Sequence, residues 1–383
     1  MANSYNVNGS AKKAGQVKDT VQSFIDAGIR CINEVGVDRI TVSQVTEVAG
    51  ATRPTFYSYF GNVGGLLAEI WIAGGQKFLD RIADADYRLD IAAAAEKAEM
   101  RALLEIFTVA RRFPEVSEIV SPMTAAWWEL DHDKTNFTRL KCAWLVANRI
   151  GMWLSTDVEP RVANAAIIES FLRVLGENPG GIPADPRFAA TPSLKSPTIA
   201  DGSVDERLLD ATIRVISGSG VQSATMSRIA RNAHVTTGTI YPRFNNEELL
   251  LQSYERAVHV VTEQNFGLVE PSGFAPDQFG AIVRGGLNPE RKMWRNFRLE
   301  MFLDARHNPA LAEKLRAVLG PTNARVAEGL GQLPVSPDER ESIAFLVHTI
   351  GIGMAVLLNN DIRVDELDHA LLTREIVAAV ARR

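Results

Sequence analysis

The chain has 383 residues, 46% hydrophobic and 23% charged, with a net charge of −5. That length admits two or three domains, and the composition is that of a globular protein, neither fibrous nor disordered. No apolar run reaches the roughly 18 residues of a bilayer span, MANSYNVNGSAKK has no apolar segment of a secretory signal, and Cys31 and Cys142 have neither disulfide-framework nor metal-ligand spacing. The expectation is a cytoplasmic protein with no membrane partner, metal or cofactor.

Residues 1–16 read as a flexible arm carrying Lys12 and Lys13. Apolar residues at helical spacing then predict a helix over 17–35, ended by Gly36, with Cys31 on its buried stripe. Thr41 predicts the cap of a second helix, with Gln44 at the reciprocal position of a capping box. That helix stops at Ala49-Gly50, where glycine admits a left-handed turn. Thr52 caps a third, short helix with Pro54 in its first turn. Two short helices joined by a tight turn make a helix-turn-helix. Gly64-Gly65 weaken the start of a fourth helix. Beyond it, residues 140–154 and 161–175 are apolar on wide helical stripes. The segment 177–203, ENPGGIPADPRFAATPSLKSPTIADGS, is proline-rich and aperiodic, and reads as an extended linker. Ser203 to Glu206 then reads as a capping box that opens a new helix.

The remainder of the chain is a second copy of its first half. GVDRITVSQVTEVAGATRPTFY, from Gly36, aligns without a gap with GVQSATMSRIARNAHVTTGTIY, from Gly220, at an offset of 184. LEIFTVARRFPEV, from Leu104, aligns with LEMFLDARHNPAL, from Leu299, at an offset of 195. Ile150-Gly151-Met152 aligns with Ile352-Gly353-Met354 at an offset of 202. Slowly growing offsets in one order mean a duplicated unit with loop insertions. With no convincing alternating strand, the fold class is all-α.

GATRPTFYSYF and HVTTGTIYPRF resemble the recognition-helix segment of the TetR family of bacterial repressors, and TVSQVTEVA and TMSRIARNA resemble its second helix. The repeated LE-x-F-x-x-AR-x-x-P is similar to a fifth-helix pattern of that family. The resemblance implies two units, each a helix-turn-helix domain followed by a helical ligand and dimerisation domain. The divisions expected are 1–16 arm, 17–70 and 71–178, linker 179–202, then 203–256 and 257–383. It implies a double-stranded DNA operator as partner, with Thr41, Ser43, Thr52, Arg53, Thr55, Tyr57 and Tyr59 facing it from the first copy. The matching residues of the second are Thr225, Ser227, Thr236, Thr237, Thr239, Tyr241 and Arg243. The chemistry suits the role: Arg can bind guanine with two bonds, Thr offers a hydroxyl and a methyl, and Tyr hydroxyls suit phosphates. Thr41, Thr52, Thr225 and Thr236 also serve as helix caps.

The family's last two helices form its dimer interface, which here falls on 140–154 with 161–175 and on 342–358 with 367–381. Packed together these make a four-helix bundle within one chain, an intramolecular pseudo-dimer; a homodimer of chains remains the other possibility. The aromatic set Trp127, Trp128, His132, Trp144 and Trp153, with Trp294, Met301, Phe302 and His348 in the second copy, suggests a pocket for a small hydrophobic or aromatic effector.

The pattern also departs from the family's. Val63 and Glu247 stand where the family places a phosphate-contacting Lys, and His234 stands at the turn position of Gly50. From 17 to 60 four basic residues face five acidic ones, and from 205 to 244 five face three, so the second copy is the more basic reader. Two functions remain in view: a ligand-responsive repressor reading two unequal half-sites, and a sensor that has lost DNA binding and acts through a protein partner. No nucleotide-binding, hydrolase or metalloprotease motif appears, so no enzyme is expected.

Overall fold

The computed structural model describes residues 7–84, 96–129, 136–158, 202–266, 276–332, 336–371 and 374. Among them every regular element is helical. The predicted helix 161–175, the linker over 179–201, His132 and most of 367–381 lie outside the described residues. The chain divides into two compact units, Met1–Arg81 with Asp90–Ala126, and Ile82–Leu89 with Trp127–Arg383.

The first unit is built around α1, Val7–Val35. This helix starts at Val7, not at Val17. The added residues, VNGSAKKAGQ, carry no apolar stripe for periodicity to detect. α2 (Val42–Val48) and α3 (Arg53–Phe60) follow. Phe24 of α1 is fully buried and meets Phe56 and Phe60 of α3 edge-on, with ring centroids 5.6 and 5.4 Å apart. These aromatic contacts fix the short third helix, which is too short to be stable alone. α4 (Val63–Ala83) approaches α1 closely at Gly28, where a Cβ would lie 2.9 Å from the Ile70 side chain. α5 (Glu96–Val109) is followed by α6 (Pro114–Glu129). The backbone N–H of Val37 donates to Glu105 Oε2 at 2.8 Å, and Arg112 pairs with Asp38, so α5 and the turn after it hold the loop beyond α1. Inside, Trp71 stacks on Phe107 at 5.4 Å and meets Phe78 at 5.5 Å.

The second unit opens with α7, Asn136–Ser155, although this helix belongs to the first sequence copy. The helices of the second copy are α8 (Val204–Ser219), α9 (Met226–Asn232), α10 (Thr237–Ile240), α11 (Asn246–Phe266), α12 (Pro276–Leu287), α13 (Lys292–Ala305), α14 (Pro309–Gly329) and α15 (Pro337–Asn359). The Ser203 side chain caps α8 by accepting from Glu206 N, and the Glu206 carboxylate reaches Arg256 at 2.8 Å. Leu208, Ile229, Ile240, Phe244 and Leu249 bury one apolar cluster under the helix-turn-helix.

α7 draws into this unit because of α15, with which it makes the most extensive helix contact among the described residues. Two glycines let the backbones touch. A Cβ on Gly151 would overlap the Thr349 carbonyl oxygen, and one on Gly353 would overlap that of Ala147. Gly151 and Gly353 are 202 residues apart in sequence, and so are Ala147 and Thr349. The contact is therefore reciprocal: residue i of one copy meets residue j of the other, and j meets i. Second-copy arginines close the end of α7. Arg306 donates to Trp153 O at 2.7 Å with its guanidinium over the Trp153 ring, and Arg316 donates to Val158 O at 2.6 Å. Cations suit the carbonyl end of a helix. α15 is long and apolar enough by composition to cross a membrane, yet most of it is buried inside the protein.

Candidate functional site

The first helix-turn-helix follows its predicted caps closely. Thr41 and Gln44 form a reciprocal capping box, with Thr41 N donating to Gln44 Oε1 at 2.9 Å and Gln44 N donating to Thr41 Oγ1 at 3.3 Å. Gly50 turns the chain at φ +62°. The Thr52 hydroxyl accepts from Thr55 N and lies 2.8 Å from the Thr55 hydroxyl. Phe56 and Phe60 point into the core, which leaves Arg53, Tyr57 and Tyr59 exposed on the other face, Tyr57 by 53%. Ser43 and Thr55 are half-buried, and the Arg53 guanidinium donates to Ser43 Oγ, so the start of α2 and the start of α3 form one polar surface.

The second helix-turn-helix differs in ways its sequence explains. His234 takes the left-handed turn at φ 55°, as expected of its alignment with Gly50. Thr225 caps α9 through Arg228 N. Thr236, expected to cap α10, makes no side-chain bond to the backbone there; its hydroxyl lies 3.0 Å from that of Thr239. α10 is one turn long, against eight residues in α3. Gly238 raises the cost of helix, and Pro242 has no N–H to continue it. Tyr241 is 68% exposed, Ser227 is exposed, and Thr237 and Thr239 are half-buried. Arg243 is drawn aside: its Nε pairs with Asp205 at 2.9 Å and its Nη1 donates to Thr239 O. Arg228 and Arg231, exposed on α9 where the first copy has Gln44 and Glu47, were absent from the sequence-based set. The charge difference between the copies was the signal for them.

The family described as bacterial regulatory proteins, tetR family, matches residues 24–70 and again 208–254. The two matches start 184 residues apart, the offset of the internal repeat. The chain is a tandem TetR-like regulator. It is 29% identical over 164 residues to the HTH-type transcriptional regulator BetI of Escherichia coli O17:K52:H18, covering 40% of this chain and 77% of that protein. It is 42% identical over 48 residues to the uncharacterized HTH-type transcriptional regulator TtgW of Pseudomonas putida, covering 12% and 36%. A solved transcriptional regulator from Rhodococcus sp. Rha1 superposes with a TM-score of 0.38 at 19% identity, over 45% of this chain and 94% of its own. The two family matches, with BetI and TtgW as relatives, make the TetR-like chain a DNA-binding regulator of transcription.

The second TetR-like unit encloses a cavity of about 200 Å³ between α11, α12, α13, α14 and α15. Its walls are apolar, with Val258, Leu319 and Trp294 among them, but Tyr254, Arg298 and His348 also line it. Trp294 and His348, of the aromatic set, are on its walls. Met301 and Phe302 are not: both are fully buried but do not line the cavity, because α13 is packed on nearly every side beyond Trp294. Phe302 instead touches the His348 ring at 5.4 Å. Trp153 is committed to Arg306, and Trp144 donates to His369 Nδ1 at 2.9 Å. Trp127 and Trp128 lie half-buried at the end of α6 with rings 6.2 Å apart, away from the cavity walls.

The sequence reading missed Tyr254 and three arginines, Arg291, Arg295 and Arg298, that line this cavity. The signal was present. Positions 291, 295 and 298, at the cap of α13 and along it, recur at four and three residues, the spacing of one helix face. Arg291 donates to Gln264, and Arg295 donates to the carbonyls of Gly286 and Asn288. Desolvation lowers the pKa of all three, and the charge on Arg298 adds to desolvation in holding His348 well below its usual value, hence neutral.

Proposed function

We propose that the chain is a ligand-responsive repressor in which one polypeptide supplies both halves of a TetR-like dimer. The observation that carries this reading is the reciprocal contact of Gly151 with Thr349 and Gly353 with Ala147. In a homodimer that contact joins two chains; here both sides are encoded in one. The two reading heads would then meet two half-sites about one helical turn, roughly 34–36 Å, apart. Because Arg53 in one head is matched by Thr237 in the other, the half-sites are unequal.

In this reading Thr41, Ser43, Thr52, Arg53, Thr55, Tyr57 and Tyr59 face one half-site. Thr225, Ser227, Thr236, Thr237, Thr239 and Tyr241 face the other, with Arg228 and Arg231 adding phosphate contacts. Arg243 contributes only after leaving Asp205. The cavity of the second unit receives the effector. α13 supports a link between the two: it carries Arg298 at the cavity and Asp304, which accepts a hydrogen bond of 2.9 Å from Gln222 beside the second helix-turn-helix. A ligand that shifts α13 biases the reading head, and it acts only through its different affinity for the two states.

The test is a salt-dependent gel shift and footprint on the DNA flanking its gene, with the mass of the complex measured. One chain on two dissimilar half-sites is the expected result; two chains on a perfect palindrome overturns it. The rival, a sensor without DNA binding, draws support from Glu247, which pairs with Lys314 where the family resemblance places a free Lys. It predicts no salt-dependent shift at all.

A further inference from the structure

We propose that the cavity of the second unit is a receptor for a small organic anion with an apolar body, a carboxylate being the simplest head, and that Arg298 is its counter-charge. The inference rests on the ligand response proposed above and assigns its chemical class.

Charge sets the class of ligand. Among the described residues that line the cavity there are three arginines and no carboxylate. Arg291 and Arg295 spend donors on neutral acceptors, an amide and two carbonyls. Arg298 has no hydrogen bond or ion pair among the described residues, and its guanidinium faces the cavity from beside Gly351, where a Cβ would sit 3.2 Å from Nη2. A half-buried cation without a partner is costly to hold, and an anion bound beside it removes the cost. Two further groups surround it without partners: the Tyr254 hydroxyl and His348 Nε2 are both buried and unbonded. Tyr254 as a whole is 1% exposed. A hydroxyl donor, a neutral imidazole and a guanidinium fork make a head-group site for a planar oxyanion. The remaining wall, with Val258, Val261, Leu319 and Val326, suits an aliphatic or aromatic body.

The repeat supplies an internal control. At the offsets of 184, 195 and 202, the positions of Tyr254, Arg298 and His348 are occupied in the first copy by Ile70, Leu103 and Val146. All three are buried apolar residues. Thr262, also on the cavity wall, is matched by the fully buried Phe78. The duplicated framework is satisfied by hydrocarbon at these places, so the polar set in the second copy is not a demand of the fold. It is a property of this cavity, and the matching positions of the first copy carry no equivalent polar set.

The test is calorimetric titration of the full chain with octanoate and benzoate, set against octanol, benzamide and octylamine, with Trp294 fluorescence as a second readout. Octanoate or benzoate is expected to bind about ten-fold or more tightly than its neutral match, the worth of a charge-assisted bond. In Arg298→Met that preference falls to near unity while octanol binding persists. Equal affinity for acid and neutral match in the wild-type chain, a preference for octylamine, or no binding by any probe overturns the proposal, without recourse to a variant. DNA release is measured separately. Carboxylate-selective binding that leaves DNA affinity unchanged upholds the anion site and overturns the proposed ligand response. Release of DNA by octanol alone upholds the response and overturns the anion site.

Discussion

Gln222 and Asp304 are joined by a 2.9 Å hydrogen bond between side chains 82 positions apart in the chain. One lies just beyond α8, beside the second reading head, and the other lies less than two turns along α13 from Arg298. Removing this bond without disturbing either end should separate binding from response. In Gln222→Leu, octanoate and operator are each expected to bind within about two-fold of wild type. The factor by which octanoate weakens operator binding should fall by about five-fold, near 1 kcal/mol of coupling. An unchanged factor in paired gel shifts would show that the signal takes another route.

The α7–α15 joint makes a second expectation. Gly151→Ala and Gly353→Ala each drive a methyl into a backbone carbonyl, which no rotamer change can relieve. Overpacking at a rigid contact costs about 1–3 kcal/mol, sometimes more. Both variants should lower the midpoint of urea unfolding by similar amounts, because the two contacts are equivalent. A shift for one glycine only would argue against the reciprocal geometry.

Specificity at the first head should depend on Arg53. It is exposed at the start of α3 and held by Ser43, poised rather than buried. Arg53→Ala is expected to weaken operator binding about ten-fold or more and to relax base preference in one half-site, leaving the other unchanged. Base-by-base competition measures this. Equal relaxation in both half-sites would mean that two chains, not one, cover the operator.

The pH dependence of stability turns on His369. It is fully buried, accepts from Trp144 Nε1 at Nδ1, and lies with Nε2 2.7 Å from Val364 O. Burial is the main cause that lowers its pKa to about 4; Arg284 acts in the same direction, while the Val364 bond, Asp368 and Asp365 oppose it. The unfolded chain, with an ordinary histidine near 6.5, therefore binds more protons between pH 6.5 and 4. Stability is complete above that window and is lost as pH falls through it. The loss from pH 8 to pH 5 is about 2 kcal/mol from His369 alone, with His348 acting in the same direction. Urea unfolding at pH 8, 6 and 5 checks the trend, and His369→Gln should flatten it. A profile as steep in that variant would assign the effect elsewhere.

The local grammar of the heads was legible in the sequence because it is short-range. Thr41 with Gln44, Gly50, His234 and Thr225 all act on backbone within a few residues, so type and spacing suffice. α10 was less legible: its alignment with α3 carried over a helix length that Gly238 and Pro242 do not permit. The cavity was hardest to read. Aromatic content pointed to Met301 and Phe302, but on a helix buried on nearly every side composition does not tell which face is vacant. Arg298 stood in plain view among the other charged residues of α13, and only its place on the cavity wall without a partner gives it meaning.

The joint of α7 and α15 has a consequence for how such a chain changes over time. In a regulator assembled from identical subunits, any replacement at the seam is felt twice, once on each side. Here Gly151 and Gly353 are separate codons, so each side of the seam can vary while the other holds. The same freedom extends to the interiors, where one half carries Ile70, Leu103 and Val146 and the other carries Tyr254, Arg298 and His348.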